Sequence, residues 1–171
     1  AALTAANIPV IVQYAATSLD DTYLQIAELG TVTGNTSQSQ ELISSMQSEI
    51  AAATATLPAN ASELTYYHEL DNTLFSVTSA TFIGSVYALA GLTNIADAAT
   101  GAESGYPQLS PEFIVSADPA IVFLADTKCC SQTAETLAQR PGFAKLTAVT
   151  TGSIVELDDD VASRWGPRTV D

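Results

Sequence analysis

The sequence has few basic residues: five Lys plus Arg stand against nineteen Asp plus Glu, which gives a formal net charge of −14. Phosphate contacts need a basic face, and this chain cannot supply one. The composition therefore excludes nucleic-acid binding as a function. Acidity of this degree also predicts repulsion from anionic membrane surfaces.

Long hydrophobic runs are also missing, although 47% of the residues are hydrophobic. The longest apolar stretches, Ile8 to Val12 and Ile121 to Ala125, are far shorter than the roughly 20 residues of a membrane-spanning helix. They predict buried strands instead. The apolar content is too high for a disordered chain, and the length fits one domain or one domain with a substantial appendage.

The common catalytic motifs are absent as well. The sequence contains no GxSxG, no GxxxxGK[ST] and no GxGxxG, the usual signatures of hydrolases, kinases and dehydrogenases. His68 is the only histidine, so a metal site would need carboxylates alone or His68 with carboxylates. The acidic run Asp158 to Asp160 lacks the spacing and the glycine of a calcium loop. The sequence thus predicts no catalytic residue and no metal site.

Cys129 and Cys130 are the only cysteines, and they are adjacent. Metal sites usually need thiols that are spaced to converge on one ion. Three interpretations remain open: two separate thiols, a vicinal disulfide, or a bond to a partner outside this chain. A surface loop without a role in ligand binding is compatible with each of them.

Strand-like and helical patterns alternate along the chain. Residues 8–14 are predicted to form a strand, because β-branched residues follow one another without a helical period. Residues 18–57 then form a mostly helical stretch in which Gly30 and Gly34 interrupt the helical spacing. Pro58 ends the second of these helices.

Beyond Pro58, strands alternate with helices. Strands are predicted at residues 66–70, 121–125 and 154–157. Ser79 is predicted to cap one helix, and Ser110-Pro111-Glu112 begins another. This alternation predicts an α/β fold, a three-layer sandwich with a mainly parallel sheet. Ligands of such sheets bind at the loops beyond the carboxyl ends of the strands.

Six segments, in order and with plausible spacings over residues 63–171, carry a resemblance to a known family. They are Glu69 to Gly84, Leu89 to Ala96, Tyr106 to Glu112, Ala117 to Pro119, Arg140 to Phe143, and Asp158 to Asp160 with Ser163 to Arg168. Together they resemble the helical-backbone class of solute-binding proteins of ABC importers, the type for ferric siderophores, cobalamin and haem.

The resemblance implies two α/β lobes that are joined by one long helix and hold the ligand between them. Mapped onto this chain, residues 1–17 are a remnant of the N-terminal lobe and residues 18–57 are the connecting backbone helix. Residues 58–171 are then the C-terminal lobe, with its final helix truncated.

The resemblance also suggests roles for two residues. Tyr106 is placed against the ligand, where a flat ring suits a macrocycle or a catecholate; the alternative is a loop aromatic packed on the lobe. Glu112 is placed as an exposed acid that docks onto arginines of the permease. As an acid in the first turn of a helix, it also has a favourable interaction with the helix dipole.

Four further residues complete the predicted ligand-binding set. Arg164 and Trp165 follow the acidic turn beyond the last strand, and they offer a planar fork for anionic oxygens and a stacking face. The alternative for Arg164 is a salt bridge within the acidic run at residues 158–160. Glu69 and Phe75 flank the first strand–helix turn of the lobe, and the sequence alone does not decide their orientation.

The function implied by the resemblance is the substrate-binding component of an ABC importer, located outside the cytoplasm and without enzymatic activity. Its ligand is a metal chelate, its partners are the permease subunits, and no resident cofactor is expected. Two alternatives are a chelatase-like enzyme, which would need His68 in the cleft, and a free-metal-ion binding protein. The apolar stripe of the helix at residues 36–57 also predicts a homodimer.

Overall fold

The computed structural model describes residues 2–170, without the side chains of residues 2 and 4. A parallel sheet forms the centre of the molecule. Within these residues its strands are β1 (Thr65–Glu69), β2 (Thr93–Asn94), β3 (Ile121–Leu124) and β4 (Ile154–Glu156). Their order is β2-β1-β3-β4, and every neighbouring pair is parallel. The mainly parallel sheet predicted from the sequence is confirmed, and all the carboxyl ends of its strands share one edge.

Nine α-helices surround or precede the sheet in the described part of the chain. They are α1 (Ala2–Ala5), α2 (Leu19–Thr33), α3 (Thr36–Thr54), α4 (Phe82–Ala88), α5 (Pro111–Ala117), α6 (Thr127–Cys130), α7 (Ala134–Ala138), α8 (Thr147–Thr151) and α9 (Asp159–Ala162). None of the described helices combines the length and the apolar character that a membrane crossing requires.

The two faces of the sheet are both covered, which gives the three layers. Tyr67, Val122 and Leu124 lie in the main hydrophobic core with Ile114 of α5 and Leu137 of α7. The alternation of a strand sends the neighbouring side chains to the opposite face. There, the ring of Tyr87 on α4 lies 4.4 Å from that of Tyr66 and 4.6 Å from that of Phe123, measured between centroids.

Helices α2 and α3 pack against each other instead of forming one continuous helix. Gly34 ends α2 with a φ of 73°, a conformation that glycine adopts without steric cost. Gly30 lets the helices approach closely, because a Cβ atom at this position would lie 2.1 Å from the Ser39 hydroxyl oxygen. The interval 18–57 is therefore helical in two pieces, as the glycines predict. Its role as a connector stays a prediction.

The strand predicted at residues 8–14 is wrong. The segment has no regular secondary structure, and Val12 and Tyr14 are exposed. A strand requires a neighbour that accepts and donates its backbone hydrogen bonds, and the four-stranded sheet does not extend to this segment. Side-chain amides hold it along α2 instead: Gln25 donates to the Tyr14 carbonyl at 2.8 Å, and Gln13 donates to the Gln25 carbonyl at 3.1 Å.

Of the two helix caps predicted from the sequence, one is confirmed and the other is wrong. Ser110 accepts a hydrogen bond from the Phe113 N–H and begins α5 as expected. Thr81, and not Ser79, caps α4. The Ser79 hydroxyl donates to the Asp97 carboxylate at 2.6 Å, so it is not available as a cap.

The apolar stripe of α3 is partly covered. Met46 is 1% exposed, whereas Leu42 and, beyond the end of the helix, Leu57 are exposed. The homodimer through residues 36–57 stays a prediction.

Candidate functional site

An open pocket of about 730 Å³ lies at the carboxyl edge of the sheet. We call it the edge pocket. Its walls come from the residues that follow β1 and β3 and from the segment after β4, and they are Leu70, Ala125, Cys129, Asp159, Asp160, Ser163, Arg164 and Trp165. This is the edge at which parallel α/β sheets bind ligands.

Arg164 and Trp165, both predicted as ligand-binding residues, line the edge pocket together. Trp165 is 45% exposed, so part of its side chain is accessible to a ligand. The guanidinium of Arg164 lies 3.4 Å from the Asp160 carboxylate, and both side chains are largely exposed. Exposed ion pairs contribute only about 0–1 kcal/mol. Arg164 can therefore exchange Asp160 for an anionic group of a ligand at little cost.

Asp159 fixes the floor of the edge pocket by joining the segments after β3 and β4. Its carboxylate accepts hydrogen bonds from the Cys129 N–H at 2.8 Å and from the Lys128 N–H at 3.1 Å. Burial would raise the pKa of Asp159, but these hydrogen bonds outweigh it and hold the pKa below its ordinary value. The carboxylate stays ionised and anchors α9 to the amino end of α6.

The cysteines form a vicinal disulfide, which selects one of the three interpretations that the sequence leaves open. Cys129 is exposed and lines the edge pocket, so one residue of the disulfide belongs to the wall of the candidate site.

Tyr106 and Phe75 lie on a pair of loops beside the edge pocket and not in its wall. Phe75 bridges to Gln108 in an antiparallel arrangement, and the Leu70 N–H donates to the Phe75 carbonyl at 2.9 Å. Tyr106 is 50% exposed and Phe75 is 37% exposed. Both rings are thus accessible from solvent, and Leu70 links their loops to the edge pocket.

Glu69 does not present its carboxylate to a ligand, and its predicted role is wrong. The side chain is fully buried, and both of its oxygens accept hydrogen bonds from Arg140, at 2.5 and 2.6 Å. The Tyr67 hydroxyl donates to the same carboxylate at 3.0 Å. A carboxylate in such a bidentate, desolvated pair has no free face.

Asp126, which sequence analysis missed, lies beneath the edge pocket between β3 and α6. It is fully buried, and neither of its carboxylate oxygens has a hydrogen-bond partner among the described residues. Burial, followed by the charge of nearby Glu69, raises the pKa of Asp126 to about 8. Both effects favour the protonated carboxyl of Asp126 at neutral pH. Its place directly after the predicted strand was the one sequence signal that could have identified it.

His68 is enclosed within the sheet and does not reach the edge pocket. It is fully buried, and its Nδ1 lies 2.8 Å from the Tyr87 hydroxyl oxygen. Burial lowers the pKa of His68 to about 4, so the ring is neutral at physiological pH. Nowhere in residues 2–170 do three or more His, Cys, Asp or Glu side chains converge to hold a metal ion.

Glu112 is exposed in the first turn of α5, as its sequence position predicts.

Known proteins resemble this chain in sequence and in fold. Residues 2–161 match the sequence model of the family described as periplasmic binding protein. A cobalamin-binding protein of Halobacterium salinarum is 32% identical over 173 residues, which cover 99% of this chain and 46% of the relative. The chain therefore spans about half the length of that relative.

Two solved structures have the same fold. A possible iron-binding (periplasmic solute-binding) protein from Staphylococcus epidermidis has a TM-score of 0.83 at 24% identity, over 99% of this chain and 65% of that one. The periplasmic heme-binding protein HutB of Vibrio cholerae has a TM-score of 0.82 at 20% identity, over 98% of this chain and 66% of that one. The sequence resemblance is confirmed: the chain belongs to the periplasmic binding protein family.

Proposed function

We propose that this chain is part of the substrate-binding component of an ABC importer for metal chelates, either iron–siderophore or corrinoid in type, that acts outside the cytoplasm. The observation that carries the proposal is the edge pocket, which presents an indole and an exchangeable guanidinium at the carboxyl edge of a parallel sheet. A flat macrocycle can stack on the indole, and a phosphate or carboxylate can accept from the guanidinium. The similarity to a cobalamin-binding protein supports a corrinoid as the first ligand to test.

The proposed binding leaves the covalent bonds of the ligand unchanged. The residues of the edge pocket offer stacking, charge and hydrogen bonds, and its acids are committed to structural contacts such as those between Asp159 and the amides of α6. A chelatase would need a histidine in the cleft, but His68 is enclosed within the sheet. The geometry therefore favours binding over catalysis.

Trp165 allows a direct test, because it is the only tryptophan in the chain. The intact protein is titrated with cyanocobalamin, haem and a ferric hydroxamate, and the tryptophan emission is recorded. Saturable quenching at micromolar concentration or below is expected for one of the three. The absence of saturable quenching by all of them, with equilibrium dialysis giving the same answer, would refute the proposed ligand class.

The role of Arg164 is tested by measuring the ligand Kd of the variant Arg164→Gln and comparing it with that of the wild type. Removal of a hydrogen bond to a charged group costs about 1.5–3 kcal/mol, which corresponds to a rise in Kd of roughly tenfold to a hundredfold. Lys145→Gln is the control, because it removes one positive charge from an exposed position outside the edge pocket. Equal effects of the two variants would assign the loss to net charge and not to the pocket.

The partner is proposed to be the permease, which Glu112 engages through an arginine. The support is that Glu112 is exposed and stands at the start of a well-capped helix. Glu112→Ala should leave the ligand Kd unchanged while it lowers the ligand-stimulated ATPase activity of the reconstituted transporter. Glu103→Ala, at another exposed acid, is the control. Full stimulation by Glu112→Ala would contradict the docking role.

A further inference from the structure

The disulfide in the wall of the edge pocket has no part in the proposed binding function. Cys129 and Cys130 are consecutive, so their bond closes a small covalent ring within α6. Cys129 is exposed, and exposed disulfides are the ones that thiols attack most readily. A bond that only stabilised the fold would join distant segments, because stabilisation grows with the length of the loop that is closed. This bond closes almost none.

We propose that Cys129–Cys130 is a thiol–disulfide exchange site whose redox state sets the position of Arg164 and Trp165. The substrate is a dithiol reductant. One of its thiolates attacks a protein sulfur, breaks the S–S bond and forms a mixed disulfide, while the other cysteine leaves as a thiolate. The second thiol of the reductant then attacks its own sulfur and releases the remaining cysteine. The protein gains two electrons and two protons, and the reductant becomes a disulfide.

The coupling to the pocket runs through Asp159. Its carboxylate accepts hydrogen bonds from the N–H groups of Lys128 and Cys129, and the second of these nitrogens is bonded to a Cα atom of the disulfide ring. The Thr127 hydroxyl oxygen lies within hydrogen-bond distance of two acceptors, the Leu157 carbonyl at 2.7 Å and the Asp159 carboxylate at 3.0 Å. Every one of these contacts joins α6 to the segment that leads into α9.

Arg164 and Trp165 follow α9 directly, so they move with it. Opening the ring removes its restraint on the Cα atom of Cys129, so the adjoining N–H can turn away from Asp159. Asp159 then loses part of its anchor, and the wall that carries the indole and the guanidinium is displaced. The effect on ligand binding rests on the proposed function, whereas the displacement itself does not.

The test is carried out without ligand, so its failure is distinct from a failure of the proposed function. The native protein is treated with dithiothreitol, free thiols are counted, and the emission of Trp165 is recorded. Two thiols per chain, together with a shift in the emission maximum, are expected. No thiols before denaturation, or two thiols with an unchanged Trp165 spectrum, would overturn the proposal.

Three variants separate the coupling from direct quenching by the disulfide. Cys129→Ser combined with Cys130→Ser should show no response to the reductant. Asp159→Ala should still release two thiols but should lose the shift, since its anchor is already absent. Glu103→Ala, which removes an exposed acid outside the edge pocket, should respond like the wild type. A wild-type shift in Asp159→Ala would refute the coupling through Asp159.

Discussion

Asp126 should make the protein less stable as the pH rises above neutrality. Its folded pKa, about 8, lies well above the ordinary value of 3.8. The contribution of the raised pKa to the free energy of unfolding is therefore fully present below about pH 4 and is lost as the pH rises through about 8. Lys and Tyr ordinarily titrate only near pH 10. Between pH 6.5 and 9 the α-amino group and the His68 of the unfolded chain, with its ordinary pKa of 6.5, also titrate, but they do so equally in the wild type and in a variant of Asp126.

The magnitude follows from linkage. Between pH 6.5 and 9 the folded chain releases the Asp126 proton, while the unfolded chain is already ionised, and integration gives a loss of about 2 kcal/mol. For a chain of this length each kcal/mol shifts the thermal midpoint by roughly 2–4 °C. The midpoint should fall by roughly 4–8 °C across this range.

The substitution Asp126→Asn tests this directly, because the amide has nearly the same shape and does not ionise. Urea denaturation of both proteins is followed by circular dichroism at pH 6.5, 7.5, 8.5 and 9, at fixed salt. The free energy of unfolding should fall with pH in the wild type and remain nearly level in the variant. All other groups, including the Glu69–Arg140 pair, are common to both proteins. Parallel curves would refute the protonated state of Asp126.

Two further predictions concern buried ionisable groups. Arg140→Met leaves the carboxylate of Glu69 buried without its cation, so the free energy of unfolding, measured in urea at pH 7, should fall by about 3–5 kcal/mol. The control Arg164→Met removes an exposed arginine and should lower it by less than about 1 kcal/mol. Equal losses in the two variants would contradict the buried pair. Burial lowers the pKa of His68 from 6.5 to about 4, so between these pH values the unfolded chain binds a proton that the folded chain does not. The wild type should therefore lose stability as the pH falls from 6.5 to 4, and His68→Gln should remove this contribution to the pH dependence. Identical slopes in the thermal midpoints of wild type and variant would argue against a neutral, buried ring.

Local signals predicted the elements that depend on local interactions. The start of α5 is correct because its cap, proline and acid lie within consecutive residues, Ser110 to Glu112. The strand at residues 8–14 is wrong because a strand depends on a neighbour, and β-branched residues do not show whether that neighbour is present. The cap of α4 is wrong because Asp97, eighteen positions further along, binds the Ser79 hydroxyl.

In the candidate site, too, the residues that depend on distant partners could not be predicted from the sequence. Arg164 and Trp165 could be placed at the edge pocket because parallel topology determines which loops meet there. Glu69 could not be assigned, because its partner Arg140 lies 71 positions away and no periodicity connects them. The orientation of a polar residue at the end of a strand depends on which charge the fold brings opposite to it.

The distribution of charge along the chain has a consequence for the solvent in which this fold is most stable. The first 127 residues contain no Lys or Arg, and Lys128, Arg140 and Arg164 are already engaged in ion pairs. Carboxylates on α2 and α3 therefore repel one another along helices that contain no Lys or Arg of their own. The Debye length shrinks from about 10 Å at 0.1 M salt to about 3 Å at 1 M. High salinity should thus tighten this protein, whereas it would mainly weaken the ion pairs of a chain with balanced charge.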